Sequence, residues 1–184
     1  MAARSLLLPA LLTAAGLLAL PPLTPAPAGA QTVPPAVDLR IYDIIEASSE
    51  ERIESDIRTL AGFGTRNTLS DTLSATRGIG AARRWIKAEM DRISAECGGC
   101  LEVFYQESLV TPEMSGRTPE PVNVVNVVAV IRGTVHPDRY VIMSGDIDSR
   151  ASSGTDATTD APGANDNASG MAGAIEAARI LSRY

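Results

Sequence analysis

The spacing of apolar residues predicts three helices in the first half of the chain. The first covers residues 39–47, the second ends near Gly62, and the third covers residues 79–95. The apolar face of the second helix consists of Ile53, Ile57 and Leu60. The third helix has a longer stripe, which leaves its charged residues mostly outside and consists of Ile79, Ala82, Ile86, Met90 and Ile93. We expect these faces to pack in the core, and the second helix to begin with a capping box formed by Ser48 and Glu51.

Strands are predicted further along the chain. Residues 101–110 alternate between apolar and polar positions, and residues 122–131 form a β-branched run typical of a central strand buried on both faces. Residues 139–143 predict a third strand. A last helix is predicted by an apolar stripe that consists of Met171, Ala174, Ile175, Ala178 and Leu181. Helices, then strands, then a helix indicate an α/β fold in which a mixed β-sheet is flanked by helices.

Acidic side chains gather where the third strand ends and the last helix begins. Asp146 and Asp148 follow the strand, and their spacing places both on one face of an extended segment. Asp166 lies in the sequence GANDNASG of residues 163–170, directly before the last helix. Ligands of α/β proteins bind at such strand ends and helix starts, so this junction predicts a ligand site.

Charge and composition limit the partners. The formal net charge is −6 and aromatic residues make up 4% of the chain, a combination that argues against nucleic acid. An acidic chain is compatible with a cationic ligand such as a metal ion or a terminal ammonium group. The single histidine, His136, lies in a turn and is interpreted as a solvated loop residue, not as a ligand.

The N-terminus has the pattern of a secretory signal peptide. Arg4 precedes an apolar stretch at residues 6–20, and Ala28 and Ala30 form an A-x-A cleavage site. A membrane anchor is the alternative, but the stretch is shorter than the ~20 residues of a membrane span. We therefore predict a signal peptide over residues 1–30 and a secreted or periplasmic protein that begins at Gln31, with no membrane contact after cleavage.

Two cysteines, Cys97 and Cys100, leave three alternatives open. A C-x-x-C pair is compatible with a redox motif, half of a zinc knuckle or a local disulfide. Disulfides form in exported proteins, so the predicted signal peptide favours the local disulfide.

The acidic junction resembles the M28 metallopeptidases, which are co-catalytic zinc aminopeptidases. The matching sequences are GDIDS at residues 145–149 and GANDNASG at residues 163–170, with weaker matches in GTR at 64–66 and NVVAV at 126–130. One position differs, because Asp146 stands where the family has histidine. The resemblance implies a phosphorylase/hydrolase-like M28 fold that is incomplete here, so that residues 31–184 form the N-terminal part of the peptidase domain.

The family's site residues are carried over by position. The resemblance implies two zinc ions, with Asp166 as the bridging ligand and Asp146 as a ligand in place of histidine. Asp148 would orient the ligand two residues before it, and the general-base glutamate would lie beyond this chain. Glu176, on the predicted last helix, is interpreted as a surface or buffering charge. An aspartate at position 146 also favours other divalent ions such as Mg²⁺, Ca²⁺ or Mn²⁺.

The function implied by the resemblance is a secreted metal-dependent aminopeptidase acting on peptides or proteins with a free N-terminus. As an N-terminal fragment, the 184-residue chain alone would be inactive. The alternatives are a catalytically inactive M28-like binding module, an enzyme like the glutaminyl cyclases, and a structural calcium loop. The calcium loop ranks last, because the glycine and terminal glutamate of an EF-hand are missing.

Overall fold

The computed structural model describes residues 37–184, so the predicted signal peptide lies outside the described part. That part contains four α-helices and two strands: α1 Arg40–Glu46, α2 Glu50–Gly62, α3 Gly78–Glu96, β1 Leu101–Val110, β2 Val122–Ile131 and α4 Ser169–Leu181. These elements confirm the predicted helices and the first two predicted strands. None of the helices described is both long enough and apolar enough to cross a membrane.

The two strands form an antiparallel ribbon. Leu101 pairs with Ile131 at one end and Val110 pairs with Val122 at the other, on either side of a proline-containing loop. One face of the ribbon packs against α3. The α/β class is therefore confirmed, and the structure is compatible with part of an M28 fold. The prediction that β2 is buried on both faces was wrong, since β2 pairs with β1 alone in the described region and Val125 is its one buried residue.

The core lies between α2, α3, α4 and the ribbon. Its buried apolar residues come from all of these elements and include Leu60, Ala82, Ile86, Met90, Ile93, Leu101, Met171 and Ile175. The turn from α3 into β1 is closed by Ser94, whose Oγ donates a hydrogen bond to the Leu101 carbonyl oxygen at 2.7 Å. Cys97 and Cys100 form a disulfide in this turn, which confirms the local pairing.

Residues 139–143 do not form the predicted strand. They have no regular secondary structure and pair with neither β1 nor β2, and Tyr140 and Val141 are 80% and 97% exposed. The apolar pattern gives this segment the side chains of a buried strand. A strand also needs a neighbour for its backbone N–H and C=O groups, and the described residues supply none.

The start of α2 lies one residue later than the predicted capping box. Ser49 is the N-cap, and its Oγ accepts a hydrogen bond from the Arg52 amide at 3.2 Å. Ser48 instead donates its hydroxyl to the Ile45 carbonyl at 2.8 Å, and so closes the end of α1. Both serines can cap a helix, and the position at which α1 ends decides which one caps α2.

Glu176 is not the surface charge that the sequence predicted. Its side chain is 4% exposed and lies between Arg52 and Arg179, with which it forms ion pairs. Asp56 on α2 pairs with Arg179 at 2.6 Å, and Glu89 on α3 pairs with it at 2.9 Å. This buried ion cluster joins α2, α3 and α4 on the side of Arg179, because a carboxylate is buried only when cations and hydrogen bonds compensate it.

Candidate metal site at the acidic blocks

Two short segments carry the candidate ligands, and the structure places them side by side. We call residues 145–149 the first block and residues 163–170 the second block. Gly145 lies so close to the start of α4 that an added Cβ would be 2.6 Å from the Gly170 carbonyl carbon and from the Met171 nitrogen. A side chain at Gly145 would therefore push the first block away from the second.

The second block is an irregular turn that leads into α4. Ala164–Ala168 forms one wide turn in which Asp166 leaves the helical conformation, with φ −116° and ψ 97°. The turn begins at Gly163, whose φ of 49° lies in the left-handed region that favours glycine. Asp166 is exposed and precedes the N-terminus of α4, where the helix dipole favours a negative charge.

The three predicted site residues are all exposed carboxylates. Asp146 and Asp148 stand in the first block and Asp166 in the second. Asp148 accepts a hydrogen bond from the Thr68 hydroxyl at 3.4 Å. Their oxygen atoms suit a divalent cation, but within residues 37–184 no group of three or more His, Cys, Asp or Glu side chains is arranged to hold one. The donor chemistry thus fits a metal ion, but the described residues alone do not form a metal site.

His136 is exposed in the turn between β2 and the first block, and its carbonyl oxygen accepts a hydrogen bond from the Arg139 amide at 3.1 Å. The interpretation as a solvated loop residue is confirmed.

Arg66 is the residue at this site that sequence reasoning missed. It is 1% exposed and is among the largest fully buried side chains. Its guanidinium group donates to four carbonyl oxygens, at 2.7–3.1 Å, which belong to Leu60, Ile147, Pro162 and Gly163. One side chain thus contacts the end of α2, the first block and the entry to the second block. The only sequence signal for it was its place in GTR at residues 64–66.

The polar groups around Arg66 compensate its positive charge only in part. Burial lowers the pKa of Arg66 below its usual value, and the negative charge of Asp148 partly opposes this effect. The Leu60 carbonyl belongs to the last turn of α2, where the helix dipole favours a cation. Carbonyl dipoles and one nearby carboxylate therefore keep this buried guanidinium in place.

Comparison with known proteins places the chain in a family. The model of peptidase family M28 matches residues 126–184, a range that includes both blocks. A probable zinc metalloprotease of Leptosphaeria maculans is 48% identical over 155 residues, which cover 84% of this chain and 36% of that protein. A probable zinc metalloprotease of Pyrenophora teres f. teres is 41% identical over 160 residues, or 87% of this chain and 33% of that protein. The chain belongs to the M28 peptidase family.

This M28 chain spans about a third of the length of the curated relatives it matches. The similarity extends well before the part that the family model matches, because the alignments cover more than four fifths of the chain. No solved structure matches the chain significantly. The roles of Asp146, Asp148 and Asp166 in this M28 chain stay predictions.

Ser149 connects the first block of this M28 chain to its surroundings and is open to a direct test. Its Oγ accepts the Arg66 amide at 2.9 Å and donates to the Ala161 carbonyl at 2.6 Å. Ser149→Ala would leave both backbone groups without this partner in a buried position. We expect the free energy of unfolding, measured by urea denaturation, to fall by about 1–3 kcal/mol.

Ser152→Ala is the matched control, since Ser152 is an exposed serine three residues further on. It is expected to change the free energy of unfolding by less than about 0.5 kcal/mol. Equal effects of the two substitutions would show that the Ser149 hydroxyl does not hold the first block.

Proposed function

We propose that the whole protein is a secreted, zinc-dependent aminopeptidase, and that this chain supplies two of its metal ligands, Asp146 and Asp166. The observation that carries the proposal is the close packing of two acidic blocks in a chain of family M28, with Gly145 against the start of α4. The names of the relatives support zinc as the metal. The signal-peptide pattern of residues 1–30 supports export.

In this proposal the described residues supply carboxylates and hold them in position. Asp166 presents its carboxylate from a turn that departs from helical geometry, and Asp146 presents a second carboxylate from the first block. Asp148 accepts the Thr68 hydroxyl and would keep the neighbouring backbone in place. Zinc, when bound, acts as a Lewis acid that lowers the pKa of water and polarises a carbonyl group. Further ligands must complete the coordination.

Charge supports the choice of an aminopeptidase. The exposed carboxylates of both blocks would attract the ammonium group of a free peptide N-terminus as well as a metal ion. An acetylated N-terminus carries no charge and would lose this attraction. The substrates proposed are therefore peptides or proteins with an unblocked N-terminus.

The proposal is tested with aminoacyl chromogenic amides offered to the full-length protein. We expect hydrolysis of the amide with a free amino group, loss of activity with a chelator, and recovery on adding zinc. The N-acetylated amide is the matched control and should be hydrolysed at least about tenfold more slowly, a difference of about 1.4 kcal/mol in transition-state free energy. Equal hydrolysis of both would rule out the aminopeptidase assignment while leaving a metallopeptidase.

A second candidate function follows from one specific residue. Asp146 replaces the histidine of the family pattern, which changes the charge and the donor type at a ligand position. The protein would then be an M28-like binding module without catalysis. Zinc binding with no hydrolysis of either chromogenic amide would support this module.

A further inference from the structure

We propose that Arg66 is a positioning residue that sets the distance between the two acidic blocks. The proposal rests on the proposed function, because it concerns how the predicted metal ligands are held. Arg66 Nε donates to the Ile147 carbonyl of the first block at 2.9 Å. Its Nη2 donates to the Gly163 carbonyl of the second block at 3.1 Å. The same planar group thus touches both blocks.

The backbone around Arg66 strengthens this connection. The Arg66 amide and carbonyl both bond to Ser149, at 2.9 Å to its Oγ and 3.3 Å from its amide. The Gly64 carbonyl accepts the Ala161 amide at 2.8 Å, beside a parallel bridge between Thr65 and Ala161. Residues 64–66 therefore bond both to the first block and to the segment that leads into the second block.

Residues 67–70 add further hydrogen bonds to the same part of the structure. Asn67 Nδ2 donates to the Gly154 carbonyl at 2.9 Å, and the Thr68 hydroxyl donates to Asp148. Ser70 Oγ accepts the amide of Ile79 at 2.9 Å and so ties the segment to the start of α3. We call residues 64–70 the bracket segment. Because α3 is a long, packed helix, the bracket segment holds both blocks in a fixed position relative to α3.

Arginine suits this task for a geometric reason. A guanidinium group offers five N–H donors in a fixed plane, whereas a lysine ammonium is a compact point charge on a flexible stem. The Arg66 guanidinium donates four hydrogen bonds to four different carbonyl oxygens. Arg66→Lys would keep the charge and lose this fixed arrangement. Arg66 bonds to backbone groups and acts on Asp146 and Asp166 only through the segments that carry them.

The test compares Arg66→Lys with wild-type protein in two measurements. The first is zinc affinity by competition with a chromophoric chelator, which we expect to fall about 10–100-fold, the range for residues that support metal ligands. The second is amide hydrogen exchange. The amides of Ser149 and Ala161, which bond to residues 66 and 64, should exchange faster, while amides inside α3 should not change.

Arg83→Met is the matched control. Arg83 is a buried arginine, 8% exposed, on the first turns of α3, and its Nε has no hydrogen-bond partner among the described residues. Its removal should alter neither zinc affinity nor exchange at Ser149 and Ala161. In Arg66→Ala, millimolar guanidinium should restore the visible spectrum of bound Co²⁺, because it refills the vacated donor position.

The possible outcomes distinguish a failure of the positioning role of Arg66 from a failure of the proposed function. Unchanged zinc affinity in Arg66→Lys would overturn the positioning role. The role would also be overturned if amide hydrogen exchange became equally faster in α3 and guanidinium failed to restore the Co²⁺ spectrum of Arg66→Ala. If wild-type protein binds no zinc, the proposed function fails, and exchange at Ser149 and Ala161 alone decides the role of Arg66. If the variants do not fold, the guanidinium N–H signals of wild-type Arg66 decide it in NMR spectra. They should be protected and should shift when zinc is added, and no shift would overturn the proposal.

Discussion

Replacing Arg179 with methionine is expected to lower the free energy of unfolding by about 3–5 kcal/mol, the usual effect of removing one partner from a buried ion cluster. The side chains of Arg179, Asp56 and Glu176 are 7%, 8% and 4% exposed. Arg179 donates to both oxygens of Asp56, at 2.6 and 3.2 Å, so the substitution leaves that carboxylate buried without its cation. Urea denaturation of wild-type and variant protein measures the loss.

The loss should depend on pH in a defined direction. Burial raises the pKa of Glu176, but hydrogen bonds from Arg52, from the Ser49 amide and from Arg179 outweigh this and hold the pKa below the usual 4.5. A lowered folded-state pKa means that ionised Glu176 stabilises the fold above about pH 4.5 and that this stabilisation disappears as the pH falls through the folded-state pKa. Arg179→Met removes one source of that lowering, so its effect should be larger near pH 7 than near pH 4.

Arg58→Met is the control for removing an arginine from an ion pair. Arg58 and Glu54 form an exposed i,i+4 pair on α2, with side chains that are 76% and 62% exposed. Solvent screens such a pair, and we expect a change of less than about 0.5 kcal/mol. A similarly small change for Arg179→Met would mean that the buried cluster does not stabilise the packing of α2, α3 and α4.

Local periodicity predicted most of the helices and strands in the described part. The apolar stripe of α3 and the alternation of β1 are strong signals. In a helix or a strand the direction of each side chain follows from its position, so the pattern alone indicates the structure. The helix over residues 169–181 was predicted for the same reason. Its buried face differs in detail from the stripe, since Glu176 and Arg179 are buried while Leu181 is 42% exposed. A charged residue is recognised as buried only when its partners on other helices are known.

The failures at residues 139–143, at Arg66 and at Glu176 share one physical cause, which is dependence on distant parts of the chain. Residues 139–143 have the composition of a strand, but strand formation depends on a neighbour, and composition does not reveal one. Arg66 binds carbonyls of Ile147 and Gly163, which lie 81 and 97 positions away in the sequence. No local pattern encodes such acceptors. The junction that carries Asp146 and Asp166 was predicted from the local pattern, their roles as metal ligands came from the family resemblance, and the structure adds how closely their blocks pack.

Loss of the Asp166 carboxylate is expected to have the largest effect on metal binding. Asp166 is exposed, stands before the N-terminus of α4 and is the aspartate that the M28 resemblance assigns as a ligand of both ions. Asp166→Asn keeps the size of the side chain and removes its charge. Residues that merely support metal ligands cost up to about 100-fold in affinity when changed, so the loss of a ligand should cost at least that much.

The most direct measurement is zinc affinity by equilibrium dialysis of the full-length protein and three variants. Asp166→Asn should weaken zinc binding by at least about 100-fold. Asp146→His should retain or increase it, since imidazole is a preferred zinc ligand. Asp91→Asn, which changes an exposed aspartate on α3 outside both blocks, should leave it unchanged. Equal zinc affinity in wild-type protein and Asp166→Asn would contradict a metal site at the two acidic blocks.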